Sequence, residues 1–396
     1  MIEQAELSLE TPSISSLSES DRYIAVEVQR PGDERAFLQV PEGIYRLDPF
    51  WIPPVHSDIS SIFNSAQNPY FSHGEAARWI VVNQTGKPCG RIAAFINFNK
   101  QFDDDKKIGG IGFFECIEDD AAANTLFSIA IAWLKERHHV DVIDGPINFG
   151  ENDKYWGLLV KGTGPVSYGM NYNPAFYLRF FHSFGFSILY KQLTTYVSLA
   201  RPLPERFVKI AARVAKSRRY KFESIKYRDR GRFIRDFVQV NNSAWATFKG
   251  FHPMEESVIE KSLREMRPIM VEELIWFAYA DNTPIGFLVA IPDVNRIIKY
   301  AGPELDLWGK CKFLFYKWVK GFTTVRVVVM GIVPEYRNQG IESAMIVHAF
   351  NEARKRSKFK HVQLSWVGDF NDKMIALHKA MNGIEFTQHA TFRKVL

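Results

Sequence analysis

Residues 325–353 read VRVVVMGIVPEYRNQGIESAMIVHAFNEA, and the reading of the fold turns on them. From Val325 to Ile332 the run is apolar and rich in β-branched residues, which predicts a buried strand. Pro334 ends it, because a proline has no N–H to give a ladder. Ile341, Met345, Ile346, Ala349, Phe350 and Ala353 then recur at helical spacing. Between strand and helix lies Pro334-Glu335-Tyr336-Arg337-Asn338-Gln339-Gly340. A junction of this kind aims several backbone N–H groups at one point. The helix dipole adds positive potential there, which makes a site for a pyrophosphate.

The stretch resembles the acetyl-CoA-binding motif of the GNAT acyltransferase superfamily, V-x-P-x-Y-R-x-x-G-x-G/A. Ile332, Pro334, Tyr336, Arg337 and Gly340 fit that pattern. The resemblance implies acyl-CoA or acetyl-CoA as co-substrate, bound along Ile332, Val333, Arg337, Asn338, Gln339, Gly340, Ile341, Glu342 and Ser343. Glu342 departs, standing where a second Gly or Ala is expected. A carboxylate in the first turn suits the helix dipole but repels a bound pyrophosphate. An acyl carrier protein is therefore an alternative donor.

The chain has 396 residues, which suggests two or three domains. Its 32 phenylalanines lead us to expect an apolar cleft in addition to packed cores. Three widely spaced cysteines, Cys89, Cys116 and Cys311, form neither a disulfide framework nor a metal spacing. The expectation is a cytoplasmic protein without metal. No signal peptide is visible, and no apolar run approaches the roughly 18 residues of a membrane span. The net charge of +6 hides an asymmetry: residues 1–195 hold 16 Lys+Arg against 24 Asp+Glu, and residues 196–396 hold 34 against 20. The basic half is the half with the phosphate-loop candidate. Nucleic acid or an acidic membrane surface would attract the same charge. We expect no nucleic-acid partner and keep peripheral membrane or lipid contact as an alternative.

Residues 1–20 read as disordered. Alternation returns from Arg22 to about Val40. A hairpin is expected from Trp79–Val82 and Arg91–Phe98, then a strand at Gly112–Cys116, a helix at Ala121–Arg137 and a short strand at Val140–Ile143. An irregular segment, a helix at Pro174–Ser183 and a strand at Leu193–Leu199 follow. The second half repeats the order: helices at 204–219 and 229–245, a hairpin at Ile275–Tyr279 and Ile285–Ala290, the opening strand and helix, a strand at Val362–Trp366, a helix from Asn371, and a final strand pair. This is the GNAT order of elements, met twice. The expected fold is α+β, with two GNAT-like domains in tandem over 21–200 and 201–396, each a mixed, mostly antiparallel sheet flanked by helices. The first copy has Glu118-Asp119-Asp120 in place of a phosphate loop. These carboxylates would cap their own helix and repel an anion, so this copy reads as degenerate for cofactor binding.

Nearly the whole chain is similar to a bacterial YghO-like double-GNAT family. The residues that carry this are Asp48-Pro49-Phe50-Trp51, Gly112-Phe113-Phe114-Glu115, Gly145-Pro146-Ile147-Asn148-Phe149, Tyr172-Asn173-Pro174, Val333-Pro334-Glu335-Tyr336, and Ser365-Trp366 with Asn371. In GNAT enzymes the thioester lies where the motif strand and the next strand splay apart, and a side chain on the following helix protonates the leaving thiolate. The family pattern there, N-x-x-A-x-x-L-Y, corresponds to Asn371 through His378, with His378 at the Tyr position. Asn371 and His378 are therefore the catalytic candidates; a histidine suits proton transfer near neutral pH. The first copy has Phe181 at that position. Candidate bases are Glu304, Asp306, Asp369, Glu151 and Asp153.

Residues 306–322 carry five aromatic side chains among four lysines in the run Trp308 to Lys320. The simplest reading is a helix that buries one aromatic face; a lid for an acyl chain or a membrane contact is the alternative. The function expected from the resemblance is an N-acyltransferase acting on a small-molecule amine. A catalytically silent protein that binds a small molecule or lipid in its cleft is the competing reading.

Overall fold

The computed structural model describes residues 22–99, 102–103, 106–152, 154–246 and 253–396. The disorder expected for residues 1–20 lies outside them, as does Asp153.

The first half runs β1 (Tyr23–Glu27), α1 (Pro31–Ile44), α2 (His56–Ile62), β2 (Gly74–Asn83), β3 (Pro88–Asn97), β4 (Phe102–Asp103), β5 (Lys106–Cys116), α3 (Asp120–Ala132), β6 (Val142–Gly145), β7 (Leu158–Lys161), α4 (Tyr177–Ser183) and β8 (Ser187–Ser198). The second half runs α5 (Glu205–Ala215), β9 (Tyr220–Ser224), α6 (Arg230–Trp245), α7 (Glu256–Met266), β10 (Ile275–Ala280), β11 (Thr283–Pro292), α8 (Asn295–Ala301), α9 (Leu307–Lys320), β12 (Thr324–Ile332), α10 (Ile341–Arg354), β13 (His361–Gly368), α11 (Asp372–Ala380) and β14 (Ile384–Val395). Strand, two helices, hairpin, strand, helix, strand, helix, strand recurs, so the doubled order expected from sequence is the architecture.

Among the described residues all strands join one fourteen-stranded sheet, ordered β1-β2-β3-β5-β6-β14-β8-β13-β12-β11-β10-β9, with β4 on β5 and β7 on β14. Read from either end, the path is the same. Only β5–β6 and β12–β13 are parallel among its neighbours along the path. At the middle the halves exchange their last strands. β14 lies beside β6 of the first half, and β8 lies beside β13 of the second. The exchanged strands pair antiparallel with each other from Ile384↔Tyr196 to Arg393↔Ser187. Helices cover both faces of each half, giving four apolar clusters, such as Phe127 with Phe181 and Phe37 with Phe95 in the first half, and Phe350 with Leu288 and Phe233 with Phe277 in the second.

Three local readings are corrected. The alternation from Arg22 stops at Glu27; Pro31 then opens α1 at its first turn with Asp33 and Glu34, and Phe37, Val40 and Pro41 bury one side. The final strand pair is one strand, because Phe386 to Val395 holds no Gly, Pro, Asn or Asp to turn the chain; it absorbs two register shifts against β8, at Glu385/Thr387 and Thr391/Phe392, without breaking. On α9 only Phe313 and Tyr316 pack on the core, while Trp308, Phe315 and Trp318 are exposed.

Candidate functional site

Between Pro334 and Gly340 the chain turns from strand into helix. Val333 ties the end of β12 to β11 by donating its N–H to Ile285 O at 2.9 Å. A 3-10 turn, Pro334–Tyr336, follows, and then two left-handed residues, Asn338 (φ 64°) and Gly340 (φ 85°). Gly340 is required twice over. Its φ disfavours a side chain, and a Cβ would lie 2.7 Å from Cγ2 of Ile210 on α5. No side chain caps α10; Ala344 is the first of its amides to find a main-chain acceptor, on Gly340 O at 3.1 Å. The N–H groups of Ile341, Glu342 and Ser343 therefore point out of the helix start, where an anion is favoured.

The side chains of the loop hold it in shape. The Arg337 guanidinium donates to Ile332 O at 3.2 Å and to Ala244 O, at the end of α6, at 2.6 Å. Gln339 donates to Glu335 O at 2.8 Å and accepts from the Tyr220 hydroxyl at 2.7 Å. Ile332 and Ile341 are core residues. The Arg337 and Gln339 side chains are thus committed within the loop, and the open donors of the helix start are main-chain amides, with Arg219 close by, bonded to the Tyr336 hydroxyl at 3.3 Å. Against this fit stands Glu342. Its Oε2 is buried with no hydrogen-bond partner among the described residues.

β12 and β13 pair only from Thr324↔His361 to Val327↔Leu364, although β12 continues to Ile332 and β13 to Gly368. The splay begins at a bulge: Val329 faces Val289 and Val327 faces Ala290, which leaves Val328 as the extra residue. Ser365 bridges the opening by donating its hydroxyl to Val327 O. A cleft of about 160 Å³ fills the splay. Val325 and Val327 to Met330 of β12, Leu364 to Val367 of β13, Phe350 of α10 and Met374 and Leu377 of α11 line it. The only polar side-chain groups among its lining residues are on Ser365, Trp366 and His378.

His378 is buried on α11, with Nδ1 3.1 Å from Thr195 Oγ1. Thr195 belongs to β8, so a residue 183 positions away, on the exchanged strand, orients the ring. Burial pushes its pKa down to about 4, so the imidazole is neutral at pH 7. The hydroxyl can either donate to Nδ1, which puts the ring hydrogen on Nε2, or accept from Nδ1–H. Asn371 does something else. Its Oδ1 caps α11 by accepting from Met374 N–H at 3.2 Å, and it stands exposed outside the cleft lining.

Among the described residues, none of the candidate bases Glu304, Asp306, Asp369 and Glu151 lines the cleft. Glu304 pairs with His56 at 2.7 Å, Asp306 caps α9 at Gly309 N–H, Glu151 accepts from the Tyr70 hydroxyl and Asp369 is exposed. Sequence reading missed the Thr195 contact and the α5 cover over Gly340. Both lie far along the chain, with no local signal.

The first half has the same splay, narrowed to a smaller and more polar pocket of about 60 Å³ lined by Arg91, Phe113, Glu115 and Pro146. β5 and β6 pair from Ile108↔Val142 to Gly110↔Asp144, and the next segment stays on β5, with Ile147 N–H on Ile111 O at 2.8 Å. A Cβ on Gly112 would lie 1.9 Å from Ile147 O. Glu115 is largely enclosed there; it accepts from the Tyr45 hydroxyl at 2.6 Å and the Tyr177 hydroxyl at 3.0 Å, with Arg91 at 3.6 Å. Burial raises the Glu115 pKa, and Arg91 opposes the rise. Asp119 caps α3, accepting from Ala121 and Ala122 N–H at 2.9 and 3.1 Å.

Residues 237–383 match the model of the acetyltransferase (GNAT) family. A protein of Caulobacter vibrioides named bacterial ceramide synthase is 24% identical, over 94% of this chain and 97% of its own. Protein YghO of Escherichia coli K12 is 26% identical, over 91% of this chain and 93% of its own. Among solved structures, a tandem GNAT protein from the clavulanic acid biosynthesis pathway superposes with a TM-score of 0.54 at 10% identity, over 94% of this chain and 98% of that one. The chain thus builds the GNAT fold twice, matches the family model on its second copy and is similar nearly end to end to YghO and its Caulobacter relative, which supports a YghO-like tandem GNAT family.

Proposed function

We propose that the chain is an N-acyltransferase. Its second half would accept an acyl thioester, as acyl-CoA or on a carrier protein, and pass the acyl group to the amine of an acceptor with a long apolar chain. The observation that supports this most is the cleft between β12 and β13, almost wholly apolar and continuous through β12 with the open amides of α10. The Caulobacter relative's name denotes a product that is an amide of a long-chain amine, which agrees with such an acceptor.

In this reading the neutral amine attacks the thioester carbon. The C–N bond forms, charge develops on the carbonyl oxygen beside the unpaired β12 amides beyond Val327, and the C–S bond breaks. The nitrogen loses one proton and the sulfur gains one. A neutral His378 would not act as an imidazolium acid; in its Nε2–H tautomer it would hydrogen-bond the leaving sulfur while water exchanges the proton. Asn371 is a positioning residue that fixes α11.

The experiment is incubation of the pure protein with acetyl-CoA or palmitoyl-CoA and sphinganine, following thiol release and amide mass. Amine-dependent thiol release with palmitoyl-CoA is expected. The buried Glu342 Oε2 and the absence of a carboxylate from the cleft lining favour a second reading, a silent binding protein. Binding of acyl-CoA by calorimetry without turnover would select it.

A further inference from the structure

We infer that α9 is an interfacial helix that docks the protein on an anionic lipid bilayer. The two halves differ here. The first joins β3 to β5 through the short β4, whereas the second inserts α8 and α9 between β11 and β12. The insert reads LWGKCKFLFYKWVK over Leu307–Lys320. At about 100° per residue, Gly309, Phe313 and Tyr316 share one side. That side is the docked one: Phe313 and Tyr316 pack on the second-half core, and a Cβ at Gly309 would lie 1.8 Å from Glu304 O.

The opposite side is a crest of large apolar residues in water. Leu307 is 82% exposed, Trp308 67%, Leu314 57%, Phe315 56%, Trp318 78% and Val319 47%. Single exposed apolar residues are ordinary, but a contiguous crest marks a contact surface. The charges say which kind. Lys310 and Lys317 border the crest on one flank and Lys312 on the other, and the helix carries no Asp or Glu. Among the described residues none of these lysines is ion-paired with a carboxylate. Lys312 lies 5.8 Å over the Trp308 ring, and Lys317 donates to Pro268 O.

An apolar crest with cations along both flanks fits a helix lying in the plane of a bilayer. The crest enters the acyl boundary, while the lysine stems run along it and lift their charges to lipid phosphates. A second copy fits less well, since two such crests face to face would oppose lysine to lysine. At 14 residues the helix is about 21 Å long, too short to cross a bilayer. Gly321 leads directly from it to β12, which lines the cleft, so docking would bring the cleft close to the bilayer. The inference does not depend on acyl transfer.

The test is flotation of the full chain with vesicles of phosphatidylcholine alone, or with equal parts phosphatidylglycerol. Flotation with the anionic vesicles, lost at high salt, is expected. The Trp308→Ser/Trp318→Ser variant should bind at least about tenfold more weakly, and each of Lys310→Gln, Lys312→Gln and Lys317→Gln about fivefold. Quenching of the parent's tryptophan emission by brominated acyl chains reads insertion without any variant. No flotation of the parent, or equal flotation of the tryptophan variant, would overturn the inference. So would a solution dimer that the tryptophan variant dissolves, since a second copy would then cover the crest.

Discussion

Two helices of this protein begin at matching points in the two halves and treat an anion in opposite ways. At α3, Asp119 turns its carboxylate onto the first amides. At α10, Gly340 offers no side chain, and the amides of the first turn stay open. The splays beside them differ in the same sense. At the end of β5 the bonded set Glu115, Tyr45, Tyr177 and Arg91 narrows the space to a polar pocket of about 60 Å³; beside β12 there is an almost wholly apolar cleft of about 160 Å³. The difference teaches that one backbone plan can be capped and narrowed in one copy and left open in the other by a few side chains.

The comparison breaks most readily at Arg91. Removing it leaves the Glu115 carboxyl buried without its cation. Arg91→Met should cost about 3–5 kcal/mol of unfolding free energy in urea. An unchanged midpoint would mean that the first splay is not held by this network.

At the seam, His389 of β14 is fully buried and donates Nε2–H to Asn171 O at 2.8 Å. Burial lowers its pKa to about 4. Its unfolded value is about 6.5, so below that pH the unfolded chain takes up a proton that the fold refuses. Stability from the neutral ring is complete above pH 6.5 and is lost as pH falls toward 4, by about 3 kcal/mol. Glu115 and Asp293, with raised pKa values, work in the opposite direction. The readout is therefore a difference: the parent should lose about 3 kcal/mol relative to His389→Gln between pH 7 and 4. Parallel curves would show that the exchanged strand carries no such penalty.

A paired substitution sharpens the contrast of helix starts. Gly340→Ala should cost about 2 kcal/mol, from the left-handed φ and the contact with Ile210, and should weaken CoA binding. Asp119→Ala should cost about 1 kcal/mol in thermal unfolding and leave CoA binding alone. Equal effects on CoA would mean that the two starts are equivalent.

Much of this contrast was legible in the sequence. The strand before Pro334, the helix spacing after it and the self-capping Asp119 all rest on local rules that packing did not override. The exchange of β8 and β14 was not legible, since nothing in either strand names a partner almost 200 residues away. The short edge strand β9 and helix α7 were also missed; α7 buries only Leu263 fully. On α9, aromatic residues at helical spacing read as a core face. Spacing reports which residues share a side and not what covers it. His378 was found by position, but its neutral state required the burial seen only in the fold.

The smallest expected effect concerns Glu342, the only acid in the first turn of α10. If a pyrophosphate sits at these amides, this carboxylate is its nearest like charge on the helix. A unit charge at about 4 Å and an effective dielectric near 20 costs on the order of 4 kcal/mol, reduced by salt and by side-chain movement. Glu342→Gln keeps the size and removes the charge. It also removes the favourable pairing with the helix dipole, about 0.5 kcal/mol, so stability should scarcely move. CoA affinity should rise about fivefold by calorimetry, roughly 1 kcal/mol. Unchanged affinity together with a clear gain in stability would place the cost of Glu342 in its buried, unpartnered oxygen rather than in repulsion of a donor. The open helix start would then differ from the capped one in geometry but not in its use for anions.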